Sequence, residues 1–394
     1  MSETDKPCPS PQGPADETPG ENAPDATVEK LGDLRDRIAE VDRSLLELLH
    51  RRMELAEEVG RVKYEAGRPI MVPEVHDRVL TRARQHADAC GVSEEVMESI
   101  FDAVMRGSVE RQHRLGVAMK ASGGTRVLIV GGAGNMGGWL QSFAQRLGHG
   151  VDIVDPSMSY LPKATGRYGS LDELESLDDY QAIWVTVPLG RMPDALRDVI
   201  ERRPSGLVIE IASIKDHLRP VFERADELGV QVAALHPMFG PSKSVYETLT
   251  FVLACRHDPH QEKVAIESWL RHPYTHLVPV PFDHHDRLMG WLLGLAHLSG
   301  MLFGCALTRS GLAVSELEAC ASTTYTRQAS TAATVLDEDP DLYYDIQKLN
   351  PHRGEVYKAA RAALDELIDS VQENDREEFR NVLSEARHLM AERG

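Results

Sequence analysis

Three glycines, Gly132, Gly134 and Gly137, fall in a G-x-G-x-x-G spacing within Gly131-Gly132-Ala133-Gly134-Asn135-Met136-Gly137. The apolar run Arg126-Val127-Leu128-Ile129-Val130 precedes them and a helical pattern follows, the context in which this spacing holds a dinucleotide. The first glycine is expected to make the turn, the second to let backbone approach a pyrophosphate, and the third to allow close helix–strand packing. Amides at the start of the helix, those of Asn135 and Met136 among them, then face the phosphates. The next apolar run ends at Asp155, eighteen residues past Gly137. A carboxylate there binds the ribose 2′-hydroxyl and repels a 2′-phosphate, so the expected cofactor is NAD rather than NADP. Thr186-Val187-Pro188 closes a later run, which puts Thr186 and Pro188 along the cofactor's far side.

His236 stands in Ala234-Leu235-His236-Pro237-Met238-Phe239-Gly240-Pro241, directly after another strand-like run. That position is the carboxyl edge of an open α/β sheet, where ligands bind. Beside a nicotinamide, an imidazole is a natural proton acceptor for an alcohol losing hydride. Ile209-Glu210-Ile211-Ala212-Ser213-Ile214-Lys215 brings the Ser213 hydroxyl and the Lys215 ammonium to the same edge, and His284-His285-Asp286 precedes an apolar helix that carries His297. The spacing of these histidines matches no standard zinc ligand set, so no metal is expected.

The first hundred residues carry a different chemistry. Leu31, Leu34, Ile38, Val41, Leu45, Leu48, Leu55, Val59 and Val62 recur at steps of three and four, the seam of a long amphipathic helix. Arg52 breaks one slot, and a guanidinium on an apolar stripe is costly unless it meets an anion. Lys63 follows three turns later on nearly the same face. Arg35 lies seventeen residues before Arg52, roughly 25 Å along one helix at ~1.5 Å per residue. One small dianion does not bridge that distance, but an antiparallel second copy would bring its Arg35 to Arg52 and Lys63, which argues for a homodimer. Ser108 and Gln112, one turn apart on the third helix, add polar contacts. Taken alone, the spacing fits equally a set of charges that snorkel to solvent.

The elements that position these groups follow from the same patterns. The first helix ends near Gly67-Arg68-Pro69; a second follows Pro73 and stops at Cys90-Gly91. Ser93 before Glu94 and Glu95 caps a third, whose stripe is Val96, Ile100, Val104, Ser108 and Arg111. After Ser122-Gly123-Gly124 come strands at 126–130, 151–154, 182–187, 207–211 and 231–235 with helices between, indicating a parallel doubly wound sheet. Beyond about Asp283 the chain is helical to its end. The expected organisation is multidomain. A disordered tail (1–28) leads to an all-α domain (29–118), an α/β Rossmann NAD-binding domain (124–283) and a second all-α domain (284–394).

A net charge of −19 argues against a nucleic-acid partner, which requires clustered Lys and Arg. The five scattered cysteines form no C-x-x-C pair and the start has no signal-peptide pattern, which reads as a cytoplasmic protein with reduced thiols. From Leu288 to Leu307 only His297 is ionisable, enough to meet the length test for a membrane span. Four interior glycines and the flanking Asp283, Asp286 and Arg287 favour a buried helix in a helical or dimeric core, with no membrane.

The L-H-P-M-F-G-P, A-S-I-K, A-H-L and Tyr325-Thr326-Arg327-Gln328-Ala329 segments, with Asp339-Pro340-Asp341-Leu342-Tyr343, resemble the signatures of prephenate dehydrogenase. The resemblance implies oxidative decarboxylation of prephenate to 4-hydroxyphenylpyruvate with NAD, and a C-terminal domain for dimerisation and substrate. It implies His236 as acceptor of the substrate's ring hydroxyl, Ser213 as support of that contact, and Arg327 as the clamp on the ring carboxylate, with His297 and Lys215 beside the substrate. In relatives fused to a mutase the arginine directly follows the tyrosine, where this chain has Thr326. Either the register shifts by one residue or carboxylate recognition differs. The His236 motif argues against a β-hydroxyacid dehydrogenase or imine reductase, families that usually depend on a lysine in the helical domain.

Residues 31–115 resemble the all-helical class of chorismate mutase through L-R-D-x-I-x-x-V-D, R-R-M-E-L-A-x-E-V-G-x-V-K and S-V-E-x-Q. The resemblance puts Arg35, Arg52, Lys63, Ser108 and Gln112 on the family's substrate positions, and the two families joined resemble the bifunctional T-proteins of tyrosine biosynthesis. The mutase step is pericyclic and needs only cationic clamps on chorismate. One departure stands out: Val75 and His76 occupy the places of an Arg-Glu pair that meets the C4 hydroxyl. Three readings follow: a weakened mutase in which His76 meets the hydroxyl, a retained dimerisation and regulatory module, or a site adapted to 4-amino-4-deoxychorismate, with 4-amino-4-deoxyprephenate then the dehydrogenase substrate. The residues do not choose among prephenate, arogenate and the 4-amino analogue.

Overall fold

A computed structural model describes residues 26–66, 73–120, 125–157, 166–245, 247–270 and 275–391. Most of the expected tail, the Gly67-Arg68-Pro69 stop and the Ser122-Gly123-Gly124 linker lie outside them. The front unit is three helices, α1 (Ala26–Glu65), α2 (Pro73–Cys90) and α3 (Glu94–Lys120), with α1 and α2 both packed on α3. α1 begins at Ala26, so helix extends into the stretch expected to be tail. The Ser93 hydroxyl accepts from the Val96 amide at 3.3 Å, as the cap signal requires. The seam of α1 has no partner among the described residues: Ile38 is 60% exposed and Leu48 63%. Val96 and Ile100 on α3 are likewise half exposed.

The middle of the chain alternates β1 (Arg126–Val130), α4 (Asn135–Arg146), β2 (Gly150–Val154), β3 (Arg167–Tyr168), β4 (Ala182–Val185), α5 (Met192–Glu201), β5 (Leu207–Glu210), α6 (Arg219–Leu228), β6 (Val232–Pro237), β7 (Leu249–Cys255), α7 (Pro259–Glu267) and β8 (Thr275–Pro281). One eight-stranded sheet results, in the order β3-β2-β1-β4-β5-β6-β7-β8. Successive residues of β1 point to opposite faces: Leu128 and Val130 pack under α5 and α6 with Leu196 and Phe222, Val127 and Ile129 under α4 with Leu140 and Phe143. Both faces are covered, which is why these strands read as unbroken apolar runs. The sheet departs from an all-parallel one because β7 runs antiparallel to β6, with His236 opposite Val252. No helix separates β6 from β7, and without a crossover the chain can only turn back. α7 supplies a crossover before β8, which is parallel to β7.

The C-terminal unit comprises α8 (Phe282–Met289), a π-helical stretch Gly290–Leu295, and α9 (Ala296–Thr308), then α10 (Val314–Ala319), α11 (Thr323–Leu336), α12 (Pro340–Leu349), α13 (Arg353–Gln372) and α14 (Arg376–Ala391). Gly300 and Gly304 let α9 lie against Val335 and Leu336 of α11. The expectation that the apolar helix is buried does not hold within one chain. Only 22% of its most apolar window is covered, and Leu292 and Leu302 on its outer face are exposed.

Candidate active sites

Because β1, β2, β4, β5 and β6 are parallel, their carboxyl ends share one edge. The glycine loop, Asp155, Thr186, Ser213 and His236 all lie there, each on the end of its own strand or just past it. The left-handed turn belongs to Gly131 (φ +86°), one residue before the glycine expected to make it. Gly132 instead lies so close to β2 that a Cβ would come within 2.4 Å of Ile153. At Gly137 a Cβ would meet the Gly131 carbonyl oxygen at 2.4 Å, which explains the third glycine. Gly134 caps α4 with no side-chain hydrogen bond, leaving the amides of the first turn, from Asn135 and Met136 on, for an anion.

Two side chains brace this cradle. Thr186 Oγ1 lies 3.0 and 2.9 Å from the carbonyl oxygens of Val130 and Gly131, to which it donates. Asp155 accepts from the amides of Ala133 (3.0 Å) and Ser157 (2.8 Å), which leaves acceptor capacity on its carboxylate. Pro188 is exposed beyond Thr186. A cradle that side chains would fill, an uncapped helix start and an acid on the neighbouring strand end fit a dinucleotide with a free ribose 2′-hydroxyl.

His236 is 3% exposed, and its Nδ1 lies 3.2 Å from His285 Nε2. His285 Nδ1 in turn lies 2.7 Å from Asp286 Oδ1. Burial, then the nearby His285 and Lys215, push His236 well below its usual range. Burial also lowers His285, although Asp286 opposes it. For Asp286 burial works upward, but hydrogen bonds from His285 and the Asp216 and Lys215 amides outweigh it and hold the carboxyl below its ordinary value. Ser213, half-buried after β5, is on the same edge.

Lys215 differs from expectation. It is fully buried, and its ammonium donates to Glu210 and to the Leu235 carbonyl (2.9 Å), so it lies beneath the site rather than against a substrate. Burial pushes both members of this pair toward neutrality. His297 on α9 sits edge-on to Tyr343, 4.3 Å between ring centres, and burial pushes it down to about 4. Its Nδ1 has no partner among the described residues. Arg327 and Thr326 are exposed on the first turn of α11, and the Thr326 hydroxyl donates to the Ser322 carbonyl. No hydrogen bond or ion pair among the described residues joins either to His236. Sequence reasoning missed Glu210 as the partner of Lys215 and the link from His236 to His285; the only signal was the adjacency of two histidines and an aspartate.

In the front unit the structure brings Arg52 and Ser108 together. Arg52 donates to the Ser108 hydroxyl and to the Val104 carbonyl (3.3 Å), and no carboxylate among the described residues pairs with it. Burial lowers both Arg52 and Lys63 from their ordinary values. Gln112 is buried against Gly60 of α1, where a Cβ would come within 2.9 Å of the Gln112 Cα. Arg35 is not part of this cluster; it is exposed toward the other end of α1. Val75 is exposed on α2, and the His76 side chain lies outside the described residues. Arg78, one turn past Val75, lines the same depression with Thr81 and Arg82.

The two sites define a class: a dinucleotide-fold dehydrogenase with a helical C-terminal unit, preceded by a helical unit built around a half-buried arginine with no carboxylate partner among the described residues. Residues 34–113 match the chorismate mutase type II family and residues 281–385 the prephenate dehydrogenase dimerization domain. The T-protein of Enterobacter agglomerans is 27% identical over 352 residues, covering 89% of this chain and 91% of that one. A chorismate mutase of Methanocaldococcus jannaschii is 32% identical over 78 residues, 20% of this chain and 79% of that one. The Aquifex aeolicus prephenate dehydrogenase in complex with hydroxyphenyl propionate and NAD+ shares the fold, with a TM-score of 0.56 at 18% identity over 68% of this chain and 98% of that one. The chain belongs to the T-protein family, a type II chorismate mutase fused to a prephenate dehydrogenase.

Proposed function

We propose that the front unit converts chorismate to prephenate and that the rest of the chain oxidises prephenate to 4-hydroxyphenylpyruvate and carbon dioxide, in the biosynthesis of tyrosine. The observation that carries the dehydrogenase half is the convergence of the glycine cradle, Asp155 and the buried His236 on one sheet edge. NAD, when bound, takes up the hydride that leaves C4 of the substrate ring. The cradle from Gly131 to Gly137 would hold its pyrophosphate and Asp155 its ribose, with Thr186 and Pro188 along the far side. His236 withdraws the C4 hydroxyl proton, with Ser213 supporting that contact. The bond from C1 to its carboxylate then breaks, its electron pair enters the ring, and the proton returns to the phenolic oxygen. Aromatisation drives the reaction, so the protein need supply only position, one base and clamps on the carboxylates. Arg327, with His297 nearby, is the clamp this reading assigns to the ring carboxylate. Lys215, paired beneath the site, sets the strand end that carries His236.

In the front unit, Arg52 and Lys63 supply the cationic clamps, and Ser108 and Gln112 orient the substrate. Arg35 is contributed by a second copy whose α1 lies antiparallel along the open seam. The exposed outer face of α9 packs in the same homodimer, which accounts for an apolar helix broken by a π-helical turn without invoking a membrane. The free thiols of Cys90, Cys255, Cys305 and Cys320 accord with a cytoplasmic enzyme.

The test offers chorismate, prephenate, arogenate and 4-amino-4-deoxyprephenate separately to the purified full chain. Turnover of chorismate and NADH formation with prephenate are expected. NADH with the 4-amino compound alone would replace the substrate, and Val75 and His76 would then mark a site adapted to an amine. Chorismate left unconsumed at high enzyme concentration would reduce the front unit to a dimerisation module.

A further inference from the structure

Asp286 is held from three directions. Its Oδ2 accepts from the amides of Asp216 (2.8 Å) and Lys215 (3.1 Å), and its Oδ1 accepts from the Lys215 amide (2.9 Å) and faces His285 Nδ1 at 2.7 Å. Its own carbonyl oxygen accepts from Asn350 Nδ2 at 2.8 Å. The carboxylate therefore ties α8 to the turn after β5, and the backbone of the same residue ties α8 to the segment after α12. A carboxylate only accepts, so His285 Nδ1 carries a hydrogen. A neutral imidazole has one N–H, so His285 Nε2 is bare and must accept from its neighbour at 3.2 Å, His236 Nδ1. The hydrogen of neutral His236 is thus on Nδ1, and its lone pair is on Nε2.

We infer that His285 and Asp286 are positioning residues that lock His236 as its Nδ1–H tautomer and leave Nε2 as the atom that takes the substrate's proton. The inference rests on the dehydrogenase reading of His236. Its consequence for the reaction is electrostatic as well as geometric. When His236 accepts the proton it becomes a buried imidazolium with the Lys215 ammonium on the far side of the strand end and Glu210 paired to that ammonium. Asp286, one neutral ring away, is the anion that faces the new charge. Neither His285 nor Asp286 needs to change protonation state for this, since a fixed orientation and a nearby negative charge suffice.

Asp286→Asn tests it. The amide oxygen takes the Oδ2 place, where two backbone amides require an acceptor, and the amide nitrogen then faces His285 Nδ1. That reverses the His285 tautomer, makes its Nε2 a donor, and moves the His236 hydrogen to Nε2, against the substrate. The expected result is a loss of at least 100-fold in kcat for prephenate, with KM for prephenate and for NAD within three-fold of the parent. His285→Gln places an amide oxygen near the position of Nε2 and should keep kcat within ten-fold, whereas His285→Phe, with no acceptor, should fall as far as Asp286→Asn. Near-parental kcat in Asp286→Asn overturns the inference. If that variant does not fold, equal rates in His285→Gln and His285→Phe overturn it. Nitrogen-15 shifts of the His236 ring in the unliganded full chain report the tautomer without turnover. They separate a failure of this inference from a failure of the proposed reaction, and an Nε2–H ring in the parent protein refutes it directly.

Discussion

Two cations, one enclosed and one half-buried, divide the molecule. Lys215, in the sheet domain, is enclosed and paired with Glu210, and its remaining donor capacity goes to a strand carbonyl. Arg52, in the front unit, is half-buried against Ser108 and Val104 with no carboxylate to meet it among the described residues. Leaving a cation out of water without a counter-charge is costly, so the two side chains differ in how much an added anion would relieve them. The same contrast holds for the cores. The sheet domain buries large side chains on both faces, Phe143, Trp184, Phe222 and Phe251 among them, whereas among the described residues α1 to α3 bury only Ala56, Ala83, Ala87 and Val109 as apolar residues. Among the described residues one region encloses its apolar side chains, while the other leaves a stripe of leucines and valines exposed.

If the division is real, the two chemistries should separate by mutation. His236→Asn should lower NADH formation by about 10²–10⁴-fold, the range for loss of a general base, while NAD affinity and chorismate turnover hold. Retained oxidation would remove His236 from its role. Arg52→Ala should do the converse, costing about 10²–10³-fold in chorismate turnover, as for one lost electrostatic contact to the transition state, with NADH formation unchanged. A mutase indifferent to that change would make Arg52 a scaffold cation like Lys215. The next effect down concerns the open seam. Leu48→Asp should remove about 1.5–3 kcal/mol of apolar burial per copy and abolish the mutase at low protein concentration while leaving the dehydrogenase intact. Undiminished chorismate turnover on dilution would show that α1 meets no second copy.

The elements most legible in the sequence were those whose pattern is local. The three front helices, the Ser93 cap and the strands β1, β2, β4, β5 and β6 follow from period and punctuation, because each is fixed by its own apolar face. The short β3 and the pair β7 and β8 left weaker traces. Residues 238–248 give no sign of whether the chain crosses over or turns back, and that choice depends on the neighbouring strand. In the site, the glycine cradle was readable, but which glycine takes the left-handed turn was not; Gly131 does so because its Cβ would meet Thr186, a contact set by β4. Lys215 was expected beside the substrate because its partner Glu210 lies five residues away on the preceding strand, in a geometry that linear spacing does not display. The seam of α1 was correctly seen as apolar, yet nothing among the described residues covers it.

The smallest effect sharpens the comparison through pH. His149, His217, His236, His285 and His297 are all held below the ordinary imidazole range, in each case first by burial, and all five belong to the sheet domain or the C-terminal helices. Their lowered values mean that the unfolded chain binds protons that the folded chain refuses. Stability is therefore full above about pH 6.5 and declines as pH falls from there toward the folded-state values. For His297, pushed down to about 4, the loss by pH 4 is roughly 2 kcal/mol once solvent screening of a partly exposed ring is allowed for. Thermal midpoints of the full chain from pH 7.5 to 4.5 should show the transition that carries the dehydrogenase moving down, with His297→Leu flattening part of that slope. A midpoint that stays constant across this window would mean that these rings are solvated, and that the compact half of the molecule is looser than its packing implies.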